Sequence, residues 1–178
     1  MNYFAKMKGT TKSPPRVSAS EIVFSWLGSF LGIGAVAYIN FHLVNDSDFV
    51  MLIASFGASA VLVYGAIKSP LAQPRNLIGG HVISAFIGVA VFKLFPGQPC
   101  LAASLAVPTA VAVMHGTRTL HPPGGATALI AVIGSDNIHA MGFAYALIPA
   151  GAGAAVMLLV ALVFNNIPGN RRYPEFWL

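Results

Sequence analysis

Residues 22–45 read IVFSWLGSFLGIGAVAYINFHLVN, a run of 24 positions without an Asp, Glu, Lys or Arg. At about 1.5 Å per residue, a helix of that length crosses the ~30 Å hydrocarbon core of a bilayer. Five more charge-free runs follow, at 49–67, 76–92, 94–117, 119–135 and 137–170. Together they predict six membrane segments, at about 22–44, 49–67, 77–95, 99–116, 119–134 and 141–165. None alternates apolar with polar residues as barrel strands do; Met157-Leu158-Leu159-Val160-Ala161-Leu162-Val163 is the plainest case. Unpaired backbone groups cannot face lipid, so the segments must be helical. The expected fold is an all-α polytopic membrane protein.

Composition leads to the same class. Of 178 residues, 56% are hydrophobic and 8% charged, with a mean hydropathy of +0.74. A soluble domain carries about 25% charged residues, and a disordered chain is polar and charge-rich, so both are excluded. A single cysteine, Cys100, rules out a disulfide framework or a cysteine metal cluster. The net charge of +5 would suit nucleic acid only if it were clustered among stacking aromatics, and it is not. Lys6, Lys8, Lys12, Arg16, Lys68, Arg75, Arg118, Arg171 and Arg172 fall at alternate segment ends, while Asp46, Asp48 and Asp136 fall at the others with Lys93 near their edge. By the positive-inside rule both termini are expected in the cytoplasm. The expected organisation is a basic cytoplasmic arm at 1–20, a membrane domain at 21–166 and a cytoplasmic tail at 167–178. The arm is short and followed by a full-length span, so a cleaved signal peptide is not expected.

Small residues recur four apart: Gly28 and Gly32, then Gly80, Ser84 and Gly88, then Gly151 and Ala155. This spacing lets helix backbones approach closely in lipid, within one chain or between protomers of a homo-oligomer (a dimer or trimer). Two stretches also resemble each other at an offset of 68 residues: Gly57-Ala58-Ser59-Ala60-Val61-Leu62-Val63 and Gly125-Ala126-Thr127-Ala128-Leu129-Ile130-Ala131. They lie in segments two and five. With three segments per half, the second copy must cross in the opposite sense, which predicts a 3+3 inverted repeat of the kind found in transporters.

The most unusual stretch is Arg118-Thr119-Leu120-His121-Pro122-Pro123-Gly124-Gly125-Ala126-Thr127. Its prolines and glycines can begin a helix but do not suit a helix interior. Starting at Gly125, segment five would hold about nine helical residues, or about 14 Å, too short to cross. Broken helices are therefore expected at segments two and five. A half-helix starting at mid-depth would aim free N–H groups and its positive dipole end at an anion. The expected anion site lies between Gly57, Ala58, Ser59 and Ala60 on one side and His121, Pro122, Pro123, Gly124, Gly125, Ala126 and Thr127 on the other. A second stretch, Ser69-Pro70-Leu71-Ala72-Gln73-Pro74-Arg75-Asn76 followed by Gly79-Gly80-His81, ends segment two and begins segment three. Arg75, Asn76, His81 and Arg118 are expected along the pathway. The bland alternatives are a surface hairpin at 121–125, a topology-setting Arg75 and a His81 that bonds a neighbouring carbonyl.

His121-Pro122-Pro123-Gly124-Gly125-Ala126-Thr127-Ala128-Leu129 resembles the signature that names the HPP family of integral membrane proteins. Phe56-Gly57-Ala58-Ser59-Ala60-Val61-Leu62 and the 69–81 stretch resemble that family too, so the likeness spans about residues 20–165. It implies a multi-spanning protein of bacteria, cyanobacteria or plastids, with the bacterial plasma membrane first. Some plant and cyanobacterial members are implicated in nitrite transport, which implies a transporter or channel for a small inorganic anion. Some members carry extra regulatory domains; none is expected in the fourteen residues after Phe164.

Other readings carry less weight. A regulatory or scaffolding membrane protein needs no broken helices. Gly57-Ala58-Ser59-Ala60 is similar to the nucleophile loop of intramembrane serine proteases, which needs a histidine from another helix; His81 is the candidate, but segment six offers none and Ala60 stands where a glycine is expected. Gly32-Ile33-Gly34-Ala35-Val36-Ala37 fits a dinucleotide fingerprint in letters only, without the preceding strand. His115 and His121 are six apart, off the spacing that puts ligands on one helix face, so no metal or cofactor is expected. The protein is not expected to be an enzyme. No segment holds an Asp or Glu, which favours passive or histidine-linked movement over sodium coupling.

Overall fold

A computed structural model describes residues 6–7, 11–44 and 51–178. The expected loop at Asp46 and Asp48 lies outside the described residues. Among the described residues the fold is helical, without a strand. Its elements are α1 (Ala19–His42), α2 (Ser55–Ala60) running into a wide turn (Val61–Gly65), a tight turn (Pro70–Ala72), α3 (Pro74–Leu94), α4 (Pro99–Gly116), α5 (Pro122–Ile133), α6 (Asp136–Met141) and α7 (Ala152–Phe164). Helices α1, α3 and α4 and the kinked stretch Asp136–Phe164 are each long and apolar enough to cross a membrane. Ser55–Gly65 and Pro122–Ile133 are not. They measure about 17 and 18 Å at 1.5 Å per residue.

Local chemistry sets these boundaries. Ser18 caps α1 by accepting from the Glu21 N–H at 3.2 Å. Pro74, Pro99 and Pro122 each begin a helix, where a missing N–H costs nothing. The expected α4 range matches the observed one. Two expectations are corrected. Helix α5 starts at Pro122 rather than Gly125, with both glycines inside it, because Gly124 is needed where α5 crosses α3. The sixth segment is not one helix: Gly142 takes φ 52°, where glycine is favoured, and Ile148 is extended at φ −133° and ψ 120°. Pro149 disfavours the helical conformation for the residue before it.

Helix α3 is the hub, packed on α4, α5, α7 and the 142–151 segment. Its small face meets α5. A Cβ on Gly88 would run into the Ala128 carbonyl, one on Gly80 into His121, and one on Gly124 into Ser84 Oγ at 2.7 Å and the Gly80 carbonyl oxygen at 2.8 Å. The Gly80-Ser84-Gly88 stripe thus serves contact within one chain. Gly28 and Gly32 do the same for α1, against the Tyr64 ring. Helix α4 buries Ala102, Ala106, Ala110 and Met114, a stripe at four-residue spacing. Trp26, Phe30, Tyr38 and Phe41 of α1 and Leu159 and Val163 of α7 point outward, as a lipid-facing surface requires.

The tail at 167–178 folds back on the bundle. Arg171 is buried; it pairs with Glu21 at 2.8 Å and donates to the Tyr64 carbonyl at 2.7 Å, at the carbonyl end of the wide turn. Tyr173 donates to the Ala72 carbonyl at 2.7 Å, and the Glu175 N–H donates to Gln73 Oε1 at 2.8 Å. Burial pushes the Tyr173 hydroxyl above its ordinary pKa, so it stays a donor.

Candidate functional site

The short helices α2 and α5 meet beside α3, and their inward faces carry hydroxyls. Ser55 and Ser59 are one turn apart on α2, so they share a face. Thr127 is the inward hydroxyl of α5, and His81 lies two turns into α3. His121 stands at the N-cap position of α5, just before its two prolines, without a side-chain capping bond. His81, His121, Ser59 and Thr127 are each 0% exposed.

These side chains form one hydrogen-bonded centre. Ser59 Oγ lies 2.7 Å from His81 Nε2 and 2.9 Å from His121 Nε2. His81 Nδ1 lies 2.6 Å from Thr127 Oγ1. Thr127 Oγ1 is placed to donate to Ser55 Oγ at 2.9 Å or to the Pro123 carbonyl at 3.3 Å. His121 Nδ1 lies 2.8 Å from the Leu71 carbonyl oxygen. That oxygen can only accept, so His121 carries a proton on Nδ1. The two imidazoles stand edge to face at 5.0 Å, and Phe56 stands edge to face with His81 at 5.1 Å. Tyr145, from the kinked stretch, donates to the Thr127 carbonyl at 3.1 Å.

Of the expected site residues, Ser59, His81, His121 and Thr127 come together. Ala60 and Pro123 are buried beside them; Gly57, Ala58, Pro122 and Ala126 face outward. Gly124 seats α5 on α3, and Gly125 faces α4, where a Cβ would meet Val107 Cγ1 at 3.6 Å. Several of the backbone N–H groups expected to face an anion are absent or already used. Pro122 and Pro123 have no N–H, and the Gly124 N–H is spent on the His121 carbonyl at 2.8 Å. At the start of α2 the Phe56 and Gly57 N–H groups bond to the Ile53 and Ala54 carbonyls at 3.0 and 3.1 Å. The polar groups that meet at the centre are side chains. Along the expected pathway, Asn76 donates to the Leu120 carbonyl at 2.8 Å while its Oδ1 is buried without a partner. Arg75 lies 6.0 Å from the Phe176 ring, and Arg118 is exposed outside the cluster at φ 56°.

Ser55, Tyr145 and the Leu71 carbonyl belong to the centre without having been expected there. Ser55 was readable, four residues before Ser59. Tyr145 and Leu71 carry no local signal, since only the kink at Ile148 and the tight turn at Pro70–Ala72 bring them in.

A helical bundle with apolar outer faces and a closed polar centre defines a polytopic membrane protein. The profile of the HPP transmembrane region matches residues 14–174, and the chain belongs to that family. Two Dictyostelium discoideum proteins, described only as transmembrane proteins, are similar to it. One is 46% identical over 180 residues, covering 99% of this chain and 58% of the relative. The other is 44% identical over 182 residues, covering 99% and 64%. The chain thus spans about three-fifths of the length of these curated relatives, which are eukaryotic. No solved structure matches it.

Proposed function

We propose that the protein is a membrane transporter or channel for a small monovalent inorganic anion, nitrite first, rather than an enzyme. The observation that carries this reading is the buried centre of Ser59, His81, His121 and Thr127, polar groups held by two short helices inside an apolar bundle. Polar groups in a membrane interior are expensive and mark function by default. A scaffold or regulatory anchor, the alternative, has no need of such a centre. The donors for an anion are hydroxyls and imidazoles, which hold a monovalent ion without a fixed counter-charge. Exposed Arg118 would raise the local anion concentration on the cytoplasmic path.

The 3+3 inverted repeat, with six segments and both termini cytoplasmic, belongs to the same proposal. Segment lengths run long, short, long in each half, the last being the kinked stretch Asp136–Phe164 rather than one helix. Ser59 and Thr127 are equivalent at the 68-residue offset, and they bond to opposite nitrogens of His81. The outward strip of Gly57, Ala58, Val61, Pro122 and Ala126 would suit the face of a homo-oligomer. The bacterial plasma membrane remains the location implied by the family resemblance, and the eukaryotic relatives widen it to other membranes.

One observation favours a second reading. The Ser59–His81 contact at 2.7 Å meets the geometric demand of a serine nucleophile. Against it, the third partner of His81 is the Thr127 hydroxyl rather than a carboxylate, and Ser59 also serves His121. Flux of nitrite, nitrate, chloride and formate into proteoliposomes tests the transport reading, with protein-free vesicles as the baseline. Labelling of Ser59 by a fluorophosphonate, with no flux of any anion, would turn the choice to hydrolysis.

A further inference from the structure

The buried centre has a proton count that its geometry makes readable. The Leu71 carbonyl requires a proton on His121 Nδ1. If both histidines are neutral, His121 Nε2 is bare, and the Ser59 proton turns to it at 2.9 Å rather than to the Ser55 carbonyl at 3.3 Å. His81 must then donate from Nε2 to Ser59, leaving its Nδ1 bare. Thr127 must turn its one proton to that nitrogen and away from Ser55 Oγ and the Pro123 carbonyl, toward which it is placed to donate.

That neutral form satisfies every contact to the histidines, and one added proton satisfies them as well while freeing the Thr127 proton for Ser55. His81 then donates from Nδ1 to Thr127 and from Nε2 to Ser59, Thr127 donates to Ser55, and Ser59 donates to His121 Nε2. The same contacts are equally satisfied with the extra proton on His121. In that form His121 donates from Nε2 to Ser59, and Ser59 donates to His81 Nε2. The two forms interconvert when His81 Nε2 gives its proton to Ser59 Oγ as Ser59 gives its own to His121. One proton arrives, one leaves, and no bond between heavy atoms changes.

We infer that the Ser59–His81–His121 centre carries one proton per transport cycle, so that the anion crosses together with H⁺. This rests on the transport reading above. The groups facing the histidines are Ser55, Phe56 and Ser59 from α2, Thr127 from α5, the Leu71 carbonyl, and Tyr145 one bond further out. Among the described residues no Asp, Glu, Lys or Arg hydrogen-bonds or ion-pairs with the two histidines; Arg75 and Arg118, the nearest in sequence, do not reach them. An imidazolium among neutral partners inside a bilayer is costly, and so is an anion there alone. Each lowers the cost of the other, and by linkage the effect is mutual. With neutral partners alone bonded to the histidines among the described residues, the transported anion supplies the charge partner of the proton.

The test uses the full chain in proteoliposomes with a pH dye inside, and nitrite, nitrate and formate as probes. Protein-free vesicles measure leakage of the undissociated acids. For one-to-one coupling, one pH unit across the membrane, acid outside, accumulates the anion about tenfold inside. A potential imposed with valinomycin leaves that ratio unchanged. His121→Gln and Ser59→Ala, which break the bridge, are expected to lower the proton-to-anion ratio at least threefold. Wild-type anion flux that follows voltage and moves no protons overturns the coupling while leaving transport intact. No protein-dependent flux of any probe overturns both. If a variant does not fold, the wild-type ratio decides alone.

Discussion

Helices α2 and α5 carry the same small-residue pattern 68 positions apart, yet the protein holds them by different means. Helix α5 begins on His121 and two prolines and lies against α3 through Gly124, so its position is set by close backbone contact. Neither helix has a side-chain cap, but α2 also lacks the close approach, since a Cβ on Gly57 would meet nothing within 4 Å. Its far end is held from outside, where Arg171 donates to the Tyr64 carbonyl and Asn165 donates to the Val63 carbonyl. What the two helices share is one inward hydroxyl each on His81. The two stretches thus share the hydroxyl chemistry at the centre; Gly57 and its counterpart Gly125 are both free of close contact, while Gly124, which stands where α2 has Phe56, alone seats its helix.

Substituting the glycines tests that division most sharply. Gly124→Val should have the largest effect, because the added carbon meets the Gly80 backbone and α5 must leave α3. Overpacking costs about 1–3 kcal/mol and more where backbone cannot yield, so we expect loss of monodisperse protein in detergent, or a large fall in Tm. Gly125→Val should be mild, since a Cβ at Gly125 makes only ordinary contact with Val107. Gly57→Ala should be neutral or stabilising by about 0.5 kcal/mol, as expected for a helical glycine in open space. Equal losses at 57 and 124 would show that α2 is packed as closely as α5.

The hydroxyls come next. Ser59→Ala deprives both histidines of a partner, whereas Thr127→Val deprives His81 alone. A buried polar group left unpaired costs about 1–3 kcal/mol. Thermal unfolding should therefore place Ser59→Ala below Thr127→Val, and either combined with His81→Ala should lose less than the sum. Additive losses would mean that the three side chains do not act as one network.

The clamp on α2 gives a smaller effect. Glu21→Gln removes the charge partner of Arg171, which keeps its bonds to the Tyr64 carbonyl and Asn165. Glu21 is 26% exposed on its side chain, so the pair is partly screened, and a loss of about 1 kcal/mol or less is expected. The loss should shrink in high salt. A salt-independent loss would place the contribution in packing.

Much of this was legible because charge is scarce. The gaps between charges located α1, α3 and α4 to within a few residues, and α4 to the residue. The kink in the sixth segment was missed although Pro149 stood within it, since a run of apolar residues reads as continuous where periodicity is ignored. At the site, His81, His121, Ser59 and Thr127 could be singled out because polar residues are few among the spans. Their joining into one centre could not. It depends on how deeply two short helices enter, which Gly80 and Gly124 set through contact across the bundle.

The smallest expected change concerns the turn that leads into α5. Arg118 sits at φ 56°, a conformation that costs a residue with a Cβ about 1 kcal/mol and glycine almost nothing. It is exposed and ends α4 in a left-handed cap, in which the Arg118 and Thr119 N–H groups donate to the His115 and Met114 carbonyls at 3.2 and 2.9 Å. Glycine would hold the same cap without the Cβ cost. Arg118→Gly should therefore raise stability, by up to about 1 kcal/mol, while slowing anion flux at low salt and leaving it little changed at high salt. Arg118→Lys, which keeps the charge and the strain, should retain most of the flux with no gain in Tm. If Arg118→Gly transports as wild type at every ionic strength, the arginine serves topology alone, and the anion path does not run past the turn before His121.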